Sequence, residues 1–298
     1  MENRNGNTIG VFQIINKRRG VFTKEDALFL EAFSDHASLA IENSRLVQAS
    51  LENERVKKEL HIAANIQQRL IPKVLPLIPG YEIVAEAVPC KEIGGDFYDV
   101  LQLKEHLFAA VIADVSGKGI PAALLVSTLH ASLRAYIQTD TNLATLVAKL
   151  NSTVYHNSTP ESFITFFIML LDTQKHEITY MNAGHNSPLH LHTRTGLISE
   201  LGAEMMPLGM LDEASGKVNS VHVEPQDELV LYTDGVTEAM NSEQVPFGDD
   251  KFRTIIQSGS DLPIAAKQTQ ILKEVHTYVG EEAASDDLTI MMVRRVCL

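Results

Sequence analysis

The first 70 residues have the hydrophobic pattern of a short strand followed by a long helix. Residues 9–15 (IGVFQII) are an apolar run of the length that strands have. Thr23, which is followed by acidic residues, is a candidate N-cap for a helix that begins after it. Apolar side chains then recur at helical spacing at Leu28, Leu30, Ala32, Phe33, Ala37, Leu39, Ala40 and Ile41. We predict that this helix continues to about residue 70, because Pro72 and the prolines that follow it would end it.

A seven-residue repeat runs through the second half of the predicted helix. One series is Leu39, Leu46, Asn53, Leu60 and Gln67, and the other is Ala49, Val56, Ala63 and Leu70. Such a repeat is typical of two parallel helices that pack together, and a polar Asn53 in the seam can fix their register. The alternative is a single amphipathic helix that packs on its own domain. We therefore predict a homodimer formed through this linker helix, with the alternative left open.

Beyond residue 80 the pattern changes to many short strands with helices between groups of them. The predicted strands are residues 81–88, 107–115, 163–171, 177–183, 218–223, 228–233 and 288–296. The predicted helices are residues 120–137, 142–156, 249–258 and 263–279. Short connections rich in Gly, Pro and Asn favour antiparallel sheets over alternating strand-helix-strand units. The predicted fold class is α+β: a four-layer αββα sandwich of two mainly antiparallel sheets flanked by helices, with an N-terminal helical linker.

The charge of the chain is concentrated in its C-terminal part. The 298 residues carry a formal charge of −13 at pH 7, and 45% of them are hydrophobic. Residues 1–70 hold 10 basic and 9 acidic side chains, whereas residues 71–298 hold 15 and 29. An acidic domain lacks the basic surface that binds nucleic acid phosphate, so we predict no nucleic-acid partner. Cations are the more natural ligands, although most of these carboxylates are expected only to keep the surface soluble.

Cysteine content and the apolar segments bound the location of the protein. Cys90 and Cys297 permit neither a disulfide framework nor a cysteine-rich zinc site, and they suit a reducing compartment. The first ten residues lack the basic and apolar regions of a signal peptide. The longest apolar stretch, residues 163–171, is too short to cross a bilayer. We therefore predict a cytoplasmic protein with no membrane insertion.

Four motifs place aspartates at strand ends or in glycine-rich turns. They are GGDFYDV (94–100), ADVSGKG (113–119), YTDGVTEA (232–239) and SDDLT (285–289), and they contain Asp96, Asp99, Asp114, Asp234, Asp286 and Asp287. Each motif alone is an ordinary turn sequence. However, two buried-type strands run directly into Asp114 and Asp234, so these carboxylates are expected to emerge at one edge of a core.

Several aspartates without a nearby His or Cys partner favour hard divalent ions. Mg²⁺ and Mn²⁺ prefer carboxylate, carbonyl and water oxygens, whereas zinc prefers His and Cys. Two such ions can activate a water and hold both oxygens of a displacement at phosphorus, which is the chemistry of phosphoester hydrolysis. Gly94 and Gly95 would allow the backbone to approach closely beside Asp96, and the turn after Asp114 could add the Val115 carbonyl as a ligand.

As a set, in this order and spacing, the motifs make residues 60–298 resemble the SpoIIE/RsbU branch of the metal-dependent, protein phosphatase 2C-like (PPM) family. The resemblance implies a serine/threonine protein phosphatase with two Mn²⁺ or Mg²⁺ ions, with a third ion left open. It implies that Asp96 and Asp114 hold the metal pair, with Asp114 bridging and Val115 giving its carbonyl. Asp234 and Asp286 would complete the shell of the second ion. Asp287 is carried over as a further metal ligand, and Asp99 as a supporting residue or part of an additional metal site.

The same resemblance implies a partner and a division of the chain. The usual substrate of this branch is a small phosphorylated anti-sigma-factor antagonist, so a phosphorylated protein of that kind is the expected partner. Residues 1–43 resemble the C-terminal end of a GAF-like sensor domain, residues 44–79 form the helical linker, and residues 80–298 form the catalytic domain. Residues 183–188 (AGHNSP) and 206–211 (MPLGML) also match stretches of this branch.

One feature of the wider family has no clear counterpart in this chain. Eukaryotic relatives place an Arg near the first metal-binding Asp to hold phosphate, and the nearest cation here is Lys91. Of the histidines, His185 is a candidate neighbour of the active site. His190 and His192 alternate as residues on one strand face do, which favours a structural or surface role over a metal site.

Two other functions remain as alternatives to the phosphatase. A catalytically inactive dimeric signalling scaffold is disfavoured, because it would have no use for a cluster of mutually repelling carboxylates. A metal-dependent nuclease would use the same ions but conflicts with the acidic charge. A cysteine phosphatase is excluded by spacing, since the Arg that should follow Cys90 by six positions is replaced by Asp96.

Overall fold

The computed structural model describes residue 1 and residues 7–11, 13–259, 262–282 and 284–296. Phe12, in the predicted first strand, and Cys297 lie outside the described residues. The described chain divides into two compact units, Met1–Leu60 and His61–Leu298.

The long N-terminal helix forms as the sequence predicts. Helix α1 spans Lys24–Gln67. Its first turn is closed by a reciprocal cap: the Thr23 backbone N–H donates to Asp26 Oδ2 at 2.7 Å, and the Asp26 N–H donates to Thr23 Oγ1 at 3.4 Å. Each bond satisfies a backbone donor at the helix start or beside it. The predicted N-cap is therefore confirmed.

The strand predicted over residues 9–15 is wrong for its described part. Residues 9–11 and 13–15 have no strand conformation. Val11, Ile14 and Ile15 are largely exposed. A strand needs a neighbour to accept its backbone hydrogen bonds, and a single apolar run does not provide one. The GAF-like character of residues 1–43 and the dimer through the linker stay predictions.

The described residues of the second unit form ten strands in two five-stranded sheets. The strands are β1 Tyr81–Val88, β2 Asp96–Lys104, β3 Leu107–Val115, β4 Ile164–Asp172, β5 Glu177–Ala183, β6 Leu189–His192, β7 Leu197–Glu200, β8 Asn219–His222, β9 Glu228–Tyr232 and β10 Leu288–Arg295. One sheet has the order β1-β10-β9-β6-β7 and the other the order β2-β3-β4-β5-β8. All neighbouring strands in these two sheets are antiparallel.

Four helices cover the outer faces of the two sheets. They are α2 Ile120–Ile137, α3 Leu143–Asn157, α4 Asp249–Ser258 and α5 Ile264–Val279. Apolar side chains of both sheets, such as Phe167 and Met291, fill the central layer between them. A second core joins α2 and α3 to the sheet that contains β3, and a third joins α4 and α5 to the sheet that contains β9. The predicted αββα sandwich is confirmed.

Helix α2 is long and apolar enough to cross a membrane by length and composition, and no other described helix meets that test. Its apolar side chains are accounted for by packing, because Leu125, Leu129 and Leu133 are buried in the core beneath the sheet of β3. A core helix of this kind passes the same test of composition.

Candidate active site

Asp96 and Asp114 are direct neighbours on adjacent strands. Asp96 begins β2, Asp114 is the second-last residue of β3, and the two are paired in the antiparallel register. Residues opposite each other on neighbouring strands project to the same face, so the two carboxylates lie side by side. Asp96 is buried and its Oδ2 accepts a hydrogen bond of 2.8 Å from Thr233 Oγ1. That bond fixes the orientation of the Asp96 carboxylate.

Asp234 and Asp286 reach the same place from the other sheet. Asp234 lies two positions after the end of β9 and opens a short 3₁₀ turn. Asp286 lies two positions before the start of β10, which is the neighbour of β9. The two segments approach so closely that a Cβ on Gly235 would lie 1.9 Å from the Asp287 carbonyl oxygen. Only glycine permits this approach, which explains the Asp-Gly pair in the motif.

The electrostatics show that the four aspartates share one site. Burial, followed by the charges of Asp234, Asp286 and Asp287, raises the pKa of Asp114 to about 7. Burial and the neighbouring Asp114 raise the pKa of Asp96 well above its ordinary value. The pKa of Asp234 is raised by the same two kinds of cause, burial first and nearby carboxylates second. Like charges close together disfavour ionisation, so the cluster holds an excess of negative charge.

Asp287 holds the loop that precedes Asp96. Its Oδ1 accepts a 2.7 Å hydrogen bond from the Cys90 backbone N–H, and its Oδ2 accepts one of 2.5 Å from the Gly95 N–H. A Cβ on Gly94 would come within 2.9 Å of the same Oδ2. These contacts give Asp287 a positioning role, and its predicted part as a metal ligand stays a prediction.

The Val115 carbonyl lies against the same loop. A Cβ on Gly95 would be 3.0 Å from the Val115 oxygen and 3.6 Å from Asp114 Oδ1. The Val115 N–H donates to the Gly95 carbonyl at 3.3 Å. The carbonyl and the Asp114 carboxylate are therefore presented together beside Gly95, as the predicted carbonyl ligand requires.

Asp99 is not part of this cluster. It is fully buried, and its two oxygens accept hydrogen bonds from Arg134 of α2, from Nε at 2.9 Å and from Nη2 at 3.1 Å. Asp96 and Asp99 are three positions apart on one strand, so their side chains project to opposite faces. The guanidinium already neutralises this carboxylate, which favours a supporting role for Asp99, and the additional metal site stays a prediction.

The cation nearest the carboxylates is Lys118, which the sequence analysis did not single out. Its Nζ lies 2.9 Å from Asp286 Oδ1 and donates to the Ser285 carbonyl at 2.5 Å. Lys91, the earlier candidate, is exposed. Lys118 stands inside the ADVSGKG motif four residues after Asp114, so its presence in the motif was the signal that could have identified it. Thr233, which lies next to Asp234 in the motif YTDGVTEA, was likewise not identified as a site residue from the sequence.

His185 lies behind the cluster. It is buried, and its Nδ1 is 2.9 Å from Thr165 Oγ1, on the β4 residue that pairs directly with Asp114. Burial lowers the pKa of His185 to about 4, so the ring is neutral at pH 7. We conclude that it supports the β3–β4 edge and does not carry charge into the site.

The donor set of the cluster fits hard divalent cations. The side chains that converge are carboxylates, and burial raises the pKa of the adjacent Cys90 thiol to about 11, so this sulfur stays protonated. A thiolate is the form in which Cys binds zinc, whereas carboxylate and carbonyl oxygens suit Mg²⁺ and Mn²⁺. The raised pKa values of Asp96, Asp114 and Asp234 show that their ionised forms repel one another, and such ions would balance that repulsion.

Two cavities flank the cluster. One, of about 380 Å³, is bordered by Asp96, Asp287, Gly94 and the end of α1 at Gln67. The other, of about 430 Å³, is bordered by Asp286, Gly235 and the C-terminal half of α5. Gln67 Nε2 also donates a 2.7 Å hydrogen bond to the Gly94 carbonyl. The last residue of α1 thus contacts the loop that carries Asp96.

Comparison with known proteins identifies the fold first. The SiaA-PP2C domain of Pseudomonas aeruginosa superposes with a TM-score of 0.70 at 18% identity, over 82% of this chain and 98% of that domain. RsbX, solved in complex with magnesium, superposes with a TM-score of 0.56 at 15% identity, over 74% of this chain and 98% of RsbX. The second unit is therefore a protein phosphatase 2C-type sandwich.

The sequence comparison then gives the family. The family described as Stage II sporulation protein E (SpoIIE) matches residues 104–296, and this chain belongs to it. Phosphoserine phosphatase RsbU of Bacillus subtilis (strain 168) is 35% identical over 185 residues, which are 62% of this chain and 55% of RsbU. The chain spans about half the length of the curated relatives it matches.

Proposed function

We propose that this protein is a metal-dependent serine/threonine protein phosphatase that hydrolyses phosphoserine or phosphothreonine on a protein. The observation that carries the proposal is the convergence of Asp96, Asp114, Asp234 and Asp286 from four separate motifs onto one buried edge with excess negative charge. The name of RsbU, a phosphoserine phosphatase, supports the reaction type. An inactive scaffold would retain the repulsion between these carboxylates without any benefit from it.

The residues divide the work of holding the ions. Asp96, Asp114 and the Val115 carbonyl would hold the metal pair, and Asp234 and Asp286 would complete the shell of the second ion. When bound, two Mn²⁺ or Mg²⁺ ions would supply Lewis-acid stabilisation and a water of lowered pKa for attack on phosphorus. Thr233 keeps the Asp96 carboxylate oriented through its 2.8 Å hydrogen bond.

Proton release accompanies metal binding at this site. Because the pKa of Asp114 is raised to about 7, a large share of this carboxyl is protonated at neutral pH in the metal-free protein. Carboxylate ligands bind metal in their ionised form, so the proton must leave as the ion enters. Metal affinity is therefore expected to weaken as the pH falls below 7.

Lys118 is the residue that we propose for holding the substrate phosphate. Its ammonium lies at the rim of the cluster, with the side chain about one third exposed, and it contacts Asp286. With Asp286 engaged as a metal ligand, the Lys118 ammonium would be free to turn toward a phosphate at the same rim. Lys118 would take the place of the Arg in eukaryotic relatives. Its ammonium is a point charge, whereas a guanidinium can donate two parallel hydrogen bonds to a phosphate.

The wider assignment rests on the family. The expected substrate is a phosphorylated anti-sigma-factor antagonist in the cytoplasm, and the expected assembly is a homodimer through residues 44–79. The Gln67–Gly94 hydrogen bond supports a coupling between the linker and the active site, since a shift of the helix end would move the loop next to Asp96.

The decisive experiment removes single carboxylates. We expect Asp114→Asn and Asp234→Asn each to reduce Mn²⁺-dependent release of p-nitrophenol from its phosphate ester by about 1,000-fold, because metal catalysis contributes several kcal/mol and 1.36 kcal/mol is tenfold in rate. Glu243→Gln, a change at an exposed carboxylate, is the control and should retain full activity. Full activity in either Asp variant would refute this mechanism. A folded wild-type chain that binds no Mn²⁺ by calorimetry would instead favour the scaffold.

A further inference from the structure

A second group of potential metal ligands lies at the opposite end of β9 from Asp234, among residues that the proposed phosphatase site does not use. Strand β6 places His190 and His192 on one face, and their ring centroids are 4.0 Å apart. Asp227 stands directly before β9, the strand that pairs with β6. The three side chains come from two neighbouring segments, and the sequence pattern alone did not bring Asp227 to the histidines.

The distances match those between the ligands of a single small ion. Asp227 Oδ2 lies 2.9 Å from His190 Nε2 and 3.5 Å from His192 Nδ1. Around a tetrahedral zinc ion, with ligands at roughly 2.0 to 2.1 Å, neighbouring ligand atoms are about 3.4 Å apart. All three ligand atoms lie within 4.8 Å of one another, so side-chain movements on the order of 1 Å would bring them to one ion.

Hydrogen bonds hold two of the three groups in the orientation that binding needs. Ser199 Oγ on β7 is 2.9 Å from His192 Nε2, which leaves Nδ1 facing Asp227. Metal-binding histidines usually have such a partner on the ring nitrogen that does not bind the ion. Asp227 in turn accepts bonds of 3.2 Å from the backbone N–H groups of Thr193 and Glu224. The carboxylate is fixed by the chain around it.

Burial gives the site a closed interior and one open side. His190 and Asp227 are buried, whereas the His192 side chain is 36% exposed. The burial of His190 also lowers its pKa, so this ring is neutral and available as a ligand at pH 7. The exposed side of His192 offers an entry path and room for a water as the fourth ligand.

We propose that His190, His192 and Asp227 bind one transition-metal ion of the zinc class. Two imidazoles and one carboxylate select Zn²⁺, Co²⁺ or Ni²⁺ over Mg²⁺ and Mn²⁺, which prefer oxygen ligands alone. In the free protein the His190 Nε2 proton is shared with Asp227, and Nδ1 has no partner among the described atoms. Binding at Nε2 requires the other neutral tautomer, so the ring proton would move from Nε2 to the unpartnered Nδ1, and this ring would release no net proton at pH 7. The site shares no residue with the carboxylate cluster.

The test is a Zn²⁺ titration of the full chain in saturating Mg²⁺, which occupies the carboxylate cluster. We expect one Zn²⁺ per chain, and the intense visible absorption of four-coordinate Co²⁺ when Co²⁺ is used instead. His192→Ala should weaken Zn²⁺ binding by about 100-fold or more, and Ser199→Ala by about tenfold, the lower end of the effect of removing a supporting residue. His222→Ala, at an exposed histidine on β8, is the matched control and should change neither the Zn²⁺ affinity nor the Co²⁺ absorption.

Two results would overturn this site. Absence of stoichiometric Zn²⁺ binding to the wild-type chain would leave the His190–Asp227 contact as a purely structural pair. Binding that survives His192→Ala unchanged would place the ion elsewhere. Because His192 is partly exposed at the end of a short strand, the variant is expected to fold, which circular dichroism and unchanged Mn²⁺-dependent phosphatase activity would verify. A wild-type chain without phosphatase activity that still binds Zn²⁺ would separate this site from the proposed function.

Discussion

Two of the buried groups of charged side chains among the described residues differ in how their charges are balanced. In one, Glu228 is fully buried and accepts hydrogen bonds from Lys267 Nζ at 2.6 Å and from Arg294 Nε at 2.9 Å. In the other, Asp96, Asp114, Asp234 and Asp286 converge, and Lys118 contacts only the last of them. The first cluster is complete without a ligand, whereas the second is not.

This difference separates a structural group of charges from a binding site. A buried charge with hydrogen-bonded partners of opposite sign holds its elements together. Here the Glu228 group joins β9, β10 and α5. A buried group of like charges makes the folded state less stable until a cation arrives. The unbalanced cluster is therefore the one that points to a ligand.

The largest effect on stability is expected from breaking the balanced cluster. Glu228→Gln removes the anion and leaves the fully buried Lys267 ammonium without a counter-charge. We expect a loss of about 3–5 kcal/mol in the free energy of unfolding, the usual effect of deleting one partner of a buried pair. Urea denaturation followed by circular dichroism would measure it, with Glu243→Gln as the exposed control. A loss under about 1 kcal/mol, as for surface pairs, would show that the group is not structural.

A smaller effect of opposite sign is expected in the unbalanced cluster. Asp114→Asn should stabilise the metal-free protein at pH 7.5 by about 1–2 kcal/mol, because it removes one of several repelling charges. The folded-state pKa of Asp114 is about 7, above the ordinary 3.8, so the contribution of this group is fully present below pH 4 and is lost as the pH rises through 7.

The pH dependence provides the control for that prediction. At pH 5 the folded wild-type carboxyl is largely protonated whereas the unfolded one is largely ionised, so the difference between wild type and Asp114→Asn should be clearly smaller than at pH 7.5. Thermal unfolding of both proteins in chelator at pH 5 and pH 7.5 would measure this. A variant that is less stable than wild type at pH 7.5 would contradict the repulsion.

The smallest effect on stability is expected at Lys118, whose side chain is one third exposed. Lys118→Ala should change the free energy of unfolding by no more than about 1 kcal/mol, as for other exposed ion pairs. If Lys118 holds the substrate phosphate, the same change should raise the KM for a phosphopeptide and leave Mn²⁺ affinity near that of wild type. An unchanged KM would remove Lys118 from the phosphate site, whereas weaker Mn²⁺ binding would indicate a role in the metal shell.

Most of the fold could be predicted because apolar runs and helical periodicity are local signals. The strands over residues 81–88, 107–115 and 177–183 have the predicted bounds. Strand β2 was not predicted, because Asp96 and Asp99 interrupt its apolar pattern, and Asp99 is buried only through its partner on α2. Strand β7 was missed because it is a four-residue, mostly exposed edge.

In the candidate site, the aspartates could be predicted from local motifs, but the contacts that orient them could not. Asp96, Asp114, Asp234 and Asp286 lie in motifs that the chain order displays, and the structure brings them together. The hydrogen bond from Thr233 to Asp96 joins residues 137 positions apart, so it depends on the contact between the two sheets. The pairing of His190 with Asp227 is of the same kind, and no local pattern predicts it.

The position of β10 has a consequence for how the protein is made. This strand lies between β1 and β9 inside its sheet, and the aspartates directly before it are the last parts of the carboxylate cluster to be synthesised. A growing chain on the ribosome can hold Asp96, Asp114 and Asp234, but it cannot complete the sheet of β1, β10 and β9, which brings Asp234 and Asp286 to the other two aspartates, until residues 286–295 have emerged. Any activity of the cluster is thereby withheld from unfinished chains, and a premature stop before this strand would yield an inert product.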